Sequence, residues 1–381
     1  MKISTTLVLV VIILATDVRP VAACLWDYDT LAMERQRFPN ALELITGKFL
    51  RHSPEFYQWR VDDRLKRLEG TPDDLALYDD LAVAYEKLGH HDEAIKTILK
   101  KDKIAPGLYE THANLGTFYI HAGRLEEGIE QIDLAIKINP DAHFGREKYQ
   151  KLLVQYVLSK RIDGKLTLPL GDGRSGGFVQ FILDSELIGA SQEAKAIGLR
   201  DATTGVLGMM RFGNHDSPIL LEALGDLLKG GDRRMRIDAA RMAARAFLKA
   251  SYESQDKTTR KAYRQIAREC LEMQTIDPST TDRLKLEALE SNFAEELAEA
   301  EIWYGEVHAD EIAWIAEGKN AEAEFDLKYY KQPEAEDRSE YFDVFPRTWR
   351  LIGAIVVGLL MIVISIAIAI VWLRRRRTSP T

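Results

Sequence analysis

The sequence predicts an all-α protein: an array of helix–turn–helix units, a second helical block, and one transmembrane helix. Three observations predict it. Between residues 75 and 140 the text repeats with a period of 34 residues, Tyr85, Gly89, Ile98 and Pro106 being answered by Tyr119, Gly123, Ile132 and Pro140. Further along, apolar residues recur at helical spacing, as in Leu286, Leu289, Phe293, Leu297, Ala300 and Tyr304. Leu351–Leu373 holds 23 residues with no charge among them. As a helix it reaches about 34 Å, enough for a hydrocarbon core of roughly 30 Å.

Within each 34-residue unit the residue types fit two packed helices. Small Ala82 and Gly116 let the helices approach, as do Ala94 and Gly128 from the facing side, and Tyr85 and Tyr119 fill the space between. Gly89 and Gly123 suit a left-handed helix end. Pro106 and Pro140 stop the second helix, since proline brings no amide donor. Read against a W-x2-L-G-x2-Y…A-x3-F…P skeleton, the first unit supplies Tyr78, Leu81, Ala82, Tyr85, Ala94, Ile98 and Pro106. The second supplies His112, Leu115, Gly116, Tyr119, Gly128, Ile132 and Pro140. These residues resemble the tetratricopeptide repeat (TPR), and residues 75–142 read as two such units. Two units bury their apolar faces only against neighbours, so flanking helices are expected.

At the start, Lys2, the run Leu7–Ala15 and then Val21-Ala22-Ala23 read as a signal peptide over residues 1–23. Val21-Ala22-Ala23-Cys24 resembles a bacterial lipobox, which would make Cys24 a lipidation site; a signal-peptidase cut before a plain cysteine is the simpler reading. Cys24–Pro39, CLWDYDTLAMERQRFP, resembles the N-termini of some bacterial envelope proteins carrying tetratricopeptide repeats. Residues 24–74 form an N-terminal helical region in which Pro72, one period before Pro106, marks a degenerate repeat. Residues 143–160 cap the array.

The pattern changes over residues 161–184, read as a linker. There Gly171-Asp-Gly173-Arg-Ser-Gly176 is formally G-x-G-x-x-G, but no second parallel strand follows, as a dinucleotide site requires. In 185–276, the text LLEALGDLL…DRRMRIDAARMAARAFL resembles a HEAT-type helix pair, with Arg234, Arg241, Arg245 and Lys249 sharing one face, solvated or open to an acidic partner. Residues 277–348 are acidic juxtamembrane helices and a tether. Trp349 and Trp372 flank the span at 351–373, and Arg374–Arg377 begin a cytoplasmic tail, 374–381. The whole reads as single-pass, with its N-terminal domain extracytoplasmic, in the periplasm or cell envelope. Ala354, Gly358, Ser365 and Ala369 fall on one side of the span, a candidate homodimer seam.

The net charge of −8 argues against nucleic acid as a partner. Two cysteines, Cys24 and Cys270, allow no disulfide framework, and no H-E-x-x-H or Ser/His/Asp elbow appears. No cofactor, metal or catalytic residue is predicted. What the repeat resemblance implies is a protein or peptide partner in a concave groove lined by the first helix of each unit. Its positions are Asp79, Val83, Glu86 and Lys87, then Asn114, Thr117 and His121, then Arg146 and Gln150 of the cap. Asp79 and Val83 stand where chaperone-binding members carry a Lys/Asn clamp, so chaperone-tail recognition is not implied. The alternatives are a purely structural envelope protein and, in another class, a cryptic hydrolase.

Overall fold

The computed structural model describes residues 39–140, 142–171, 177–230, 237–273 and 284–330. The chain divides into two compact units, Met1–Gln332 and Pro333–Thr381, and every described residue lies in the first. The signal-peptide, Cys24 and tether readings, the apolar run 351–373 with its small-residue seam, and the tail lie outside the described residues. Among the described residues no helix is long and apolar enough to cross a membrane.

The described chain is helical, with a single isolated β-bridge between Ile162 and Lys165. Helix α1, Ala41–Thr46, is closed by a capping box in which Asn40 and Glu43 satisfy each other's backbone N–H. Gly47 turns the chain out, and α2, Pro54–Gly70, starts on the Ser53 cap with proline in its first turn. The N-terminal helical region thus holds two helices among the described residues.

The repeats follow in the predicted register. Helices α3, Leu75–Lys87, and α4, His91–Ile104, form the first unit; α5, Tyr109–His121, and α6, Leu125–Ile138, form the second. Each boundary of the second unit is displaced from the first by the same 34 residues. Gly89 and Gly123 take φ of +79° and +78°, and the next amides, of His90 and Arg124, donate back to the carbonyls of Tyr85 and Tyr119 at 2.8 Å. Ala82, Val83, Ala94, Ile98, Leu115 and Phe118 make a separate small core between the units.

Beyond a 3₁₀ turn at Ala142–Gly145, α7, Arg146–Ser159, caps the array. The stretch read as a linker holds α8, Gly177–Leu183, with Phe178, Val179 and Ile182 buried. Then come α9, Gln192–Phe212; α10, Pro218–Lys229; α11, Ile237–Glu253; and α12, Lys257–Glu272. One apolar core runs from α1 through α6, α7 and α8 to α12, so the array and the following block share an interior.

Helix α13, Leu286–Ala316, and the short α14, Ala321–Phe325, turn back onto the N-terminal helices. His52 Nδ1 lies 2.5 Å from Glu311 Oε1, and the Ser53 amide donates to Glu311 Oε2 at 2.8 Å. Arg60 and Arg64 both reach Glu322, at 2.9 and 2.5 Å, and Phe325 packs on His52 with ring centroids 4.1 Å apart. The acidic helices find their cations on α2. On the basic face of the HEAT-like pair, Arg245 is met by Glu296 at 2.7 Å and Lys249 by Asp216 at 2.8 Å, while Arg234 lies outside the described residues.

Candidate partner-binding groove

Helices α3, α5 and α7 are the first helices of successive units, so their residues at helical spacing form one continuous face. Six of the nine expected groove residues are joined to one another across these helices, while Val83 lies in the apolar core between the units and Lys87 and Arg146 turn to α9. Asn114 Nδ2 donates to Asp79 Oδ1 at 3.3 Å, linking α5 to α3. His121 Nδ1 lies 2.5 Å from Glu86 Oε1, a second link between those helices. Gln150 Nε2 donates to Thr117 Oγ1 at 3.4 Å, linking α7 to α5. The bonded pairs lie 35, 35 and 33 residues apart, one residue to either side of the period, so each rung crosses between neighbouring units.

Asp79, Val83, Glu86, Asn114, Thr117, Arg146 and Gln150 are at most 7 % exposed, whereas Lys87 and His121 are half-buried. Buried polar groups on this scale require partners, and the partners include residues that the periodicity does not mark. Lys101 of α4 reaches through to Asp79 at 2.6 Å. Burial pushes the Asp79 carboxyl up to about 7, against the pull of Lys101. His91, the first residue of α4, places Nδ1 2.9 Å from Glu86, and that hydrogen bond raises its pKa. Burial opposes ionisation of Glu86, but His121 and His91 together hold its carboxyl below the ordinary value.

One end of the face is built with α9. Lys87 Nζ donates to the carbonyls of Phe212 and Gly213 at 2.7 and 2.8 Å. The guanidinium of Arg146 stacks over the Phe212 ring at 4.7 Å, with Arg211 at 5.2 Å from the same ring. Beside them, burial and the charges of Arg51, Lys249 and Lys87, against the opposing Asp216, drive His215 down to about 3. This end carries a concentration of cations. Phe212 and Arg211 had no signal in the sequence, because they come from a helix more than a hundred residues away from α3.

The arrangement is one for holding and orienting polar groups. His112, standing where the repeat skeleton has Trp, hydrogen-bonds Gln131 at 2.8 Å and is structural. Among the described residues no group of three or more His, Cys, Asp or Glu is arranged to hold a metal ion.

Residues 75–107 and 109–142 match the family model of the tetratricopeptide repeat. No curated protein matches the chain. The chain carries two tetratricopeptide repeats, a module that generally binds proteins and is generally non-catalytic.

Proposed function

We propose that the protein is a membrane-anchored, extracytoplasmic scaffold whose repeat array binds a protein or peptide segment along α3, α5 and α7. The observation that carries this reading is the ladder of polar side chains across those three helices. A solenoid face that served only to pack would fill those positions with apolar groups, which need no partners. Here Asp79, Glu86, Asn114, Thr117, His121 and Gln150 keep hydrogen-bonding chemistry along one side of the three helices. The anchoring part of the proposal rests on the apolar run 351–373 and the four arginines after it.

The test is affinity capture of the intact protein from membranes. Replacing Asn114 and His121 with Ala should lower recovery of a specific partner at least several-fold at a temperature where circular dichroism shows the variant still folded, although breaking the bonds to Asp79 and Glu86 lowers its melting temperature. Recovery that survives the double substitution overturns the groove as the binding surface. A second reading, a purely structural envelope protein, is favoured by one observation: the α13–α14 return closes the chain on itself through the buried His52–Glu311 pair. It predicts that no partner is recovered with either form.

A further inference from the structure

Helix α13 is patterned on two sides. Phe293, Ala300, Val307 and Trp314, each seven residues after the last, are buried where the helix packs on α1, α2, α11, α12 and α14. The opposite side carries a second apolar seam. Ala298, Ile302, Gly305, Ala309, Ile312 and Ala316 alternate steps of four and three residues, the spacing at which one helix presents a stripe to another. At 100° per residue the two seams lie roughly 150° apart around the helix. All six residues of the second seam are exposed, Ile302 by 69 % and Ile312 by 45 %. The water-facing side of a helix ordinarily carries polar side chains, and here it carries none along the seam. Gly305 is an independent mark. Glycine is disfavoured inside a helix, and a close neighbour is what justifies one. The repeat glycines Gly116 and Gly128 have such neighbours, Ile132 and Ile120. At Gly305, apart from the helix's own backbone, nothing lies within 4 Å of the point that a Cβ would occupy. The packing of this chain makes no use of that glycine.

We propose that the outer seam of α13 docks a cationic amphipathic helix of another protein, one with small or aliphatic residues along its own seam and Lys or Arg on its flanks. The charges beside the seam name that chemistry. In the heptad that the seam defines, Glu301 and Glu306 stand on its two flanks, and Glu295 continues it one heptad before Ile302. All three are exposed, and none is paired with a cation among the described residues. Glu299, on the same flank as Glu306, is held by Lys48 of the chain itself. Flanking charges of this kind decide which helix a seam accepts. A second copy of this chain is disfavoured by them, because parallel pairing would set Glu301 against Glu306 of the other copy. An anionic membrane surface is repelled by the same acids. The surface lies outside the repeat array and is independent of the groove on α3, α5 and α7.

The test uses the full chain in detergent and a fluorescent helical peptide about four heptads long, with Ala and Leu on its seam and Arg on both flanks. A second peptide carries Glu in place of each Arg. By fluorescence anisotropy the Arg peptide should bind about tenfold more tightly than the Glu peptide, or better. Gly305→Leu places its side chain in open space, so the melting temperature should hold or rise while binding of the Arg peptide weakens about tenfold. A Cys24→Ser, Ala309→Cys chain, in which Cys270 is buried, should react freely with a maleimide, and the Arg peptide should slow that reaction several-fold. No binding of the Arg peptide, equal binding of the two peptides, or binding undiminished by Gly305→Leu overturns the proposal. Slow maleimide reaction without peptide would mean that the chain covers its own seam. A sedimentation-equilibrium dimer that Gly305→Leu dissolves would mean that a second copy does. Either result overturns the proposal as well.

Discussion

Glu222 of α10 is buried with its oxygens accepting from the amides of Leu170 and Gly171, at 3.0 and 2.8 Å, and from the Tyr263 hydroxyl at 2.7 Å. Burial, with Asp226 one turn away, pushes its carboxyl up to about 7 against those donors. The unfolded chain releases that proton near 4.5, the folded one only near 7, so Glu222 withdraws stability as pH rises between them, by about 3 kcal/mol. His91 acts in the same direction. Its folded pKa is raised, so its contribution is full below about 6.5 and fades as pH climbs through the folded value. Glu86, whose pKa is lowered, contributes above its unfolded value and loses that contribution in acid. Glu222 and His91 should therefore make the protein weaker at pH 8 than at pH 5. Urea unfolding across that range checks it, and Glu222→Gln should flatten the slope between pH 5 and 8 whatever it does to absolute stability.

At the scale of elements, the two repeats differ in how closely their helices approach. A Cβ on Gly128 would stand 2.5 Å from Ile120 Cγ1 and 3.0 Å from the Gly116 carbonyl; one on Gly116 would stand 2.6 Å from Ile132 Cδ1. The first repeat has Ala82 and Ala94 at these positions and accommodates both methyl groups in its core. Gly128→Val should therefore cost about 1–3 kcal/mol through overpacking, while Ala94→Gly, which leaves a gap, should cost less than that plus the helix penalty of about 1 kcal/mol. Thermal melts of the two variants compare them. The return of α13 offers a second case. Glu311→Ala removes the acceptor of both His52 Nδ1 and the Ser53 amide in a buried site, a loss of about 3–5 kcal/mol. Hydrogen exchange should rise along α2 and α13 and stay unchanged in α5 and α6. Uniform protection in the variant would mean that the pair does not hold the return in place.

At the scale of the whole molecule, the proposed topology places residues 24–349 on the outer side of a membrane. Protease added to intact spheroplasts should degrade nearly the whole chain, and a protected full-length protein would refute that orientation. How much of this was legible in the sequence follows the range of the interactions. The repeat boundaries, the glycine-capped turns and the proline stops came from residues within one period, because backbone sterics and i, i+3/i+4 packing act locally and leave a periodic text. The residues expected to line a groove were chosen for the same reason, as fixed positions on one helix face. The sequence carries no comparable mark for Lys101 as the counter-ion of Asp79, for Phe212 beneath Arg146, or for Glu311 closing on His52. Those contacts join residues between 22 and 259 positions apart. Each depends on burial: a charge removed from water must find an opposite charge wherever the packing of helices brings one. Periodicity alone determined the repeats, and only the tertiary structure decided that the acidic C-terminal helices pair with α2 and that the polar side chains of the array are joined across its helices.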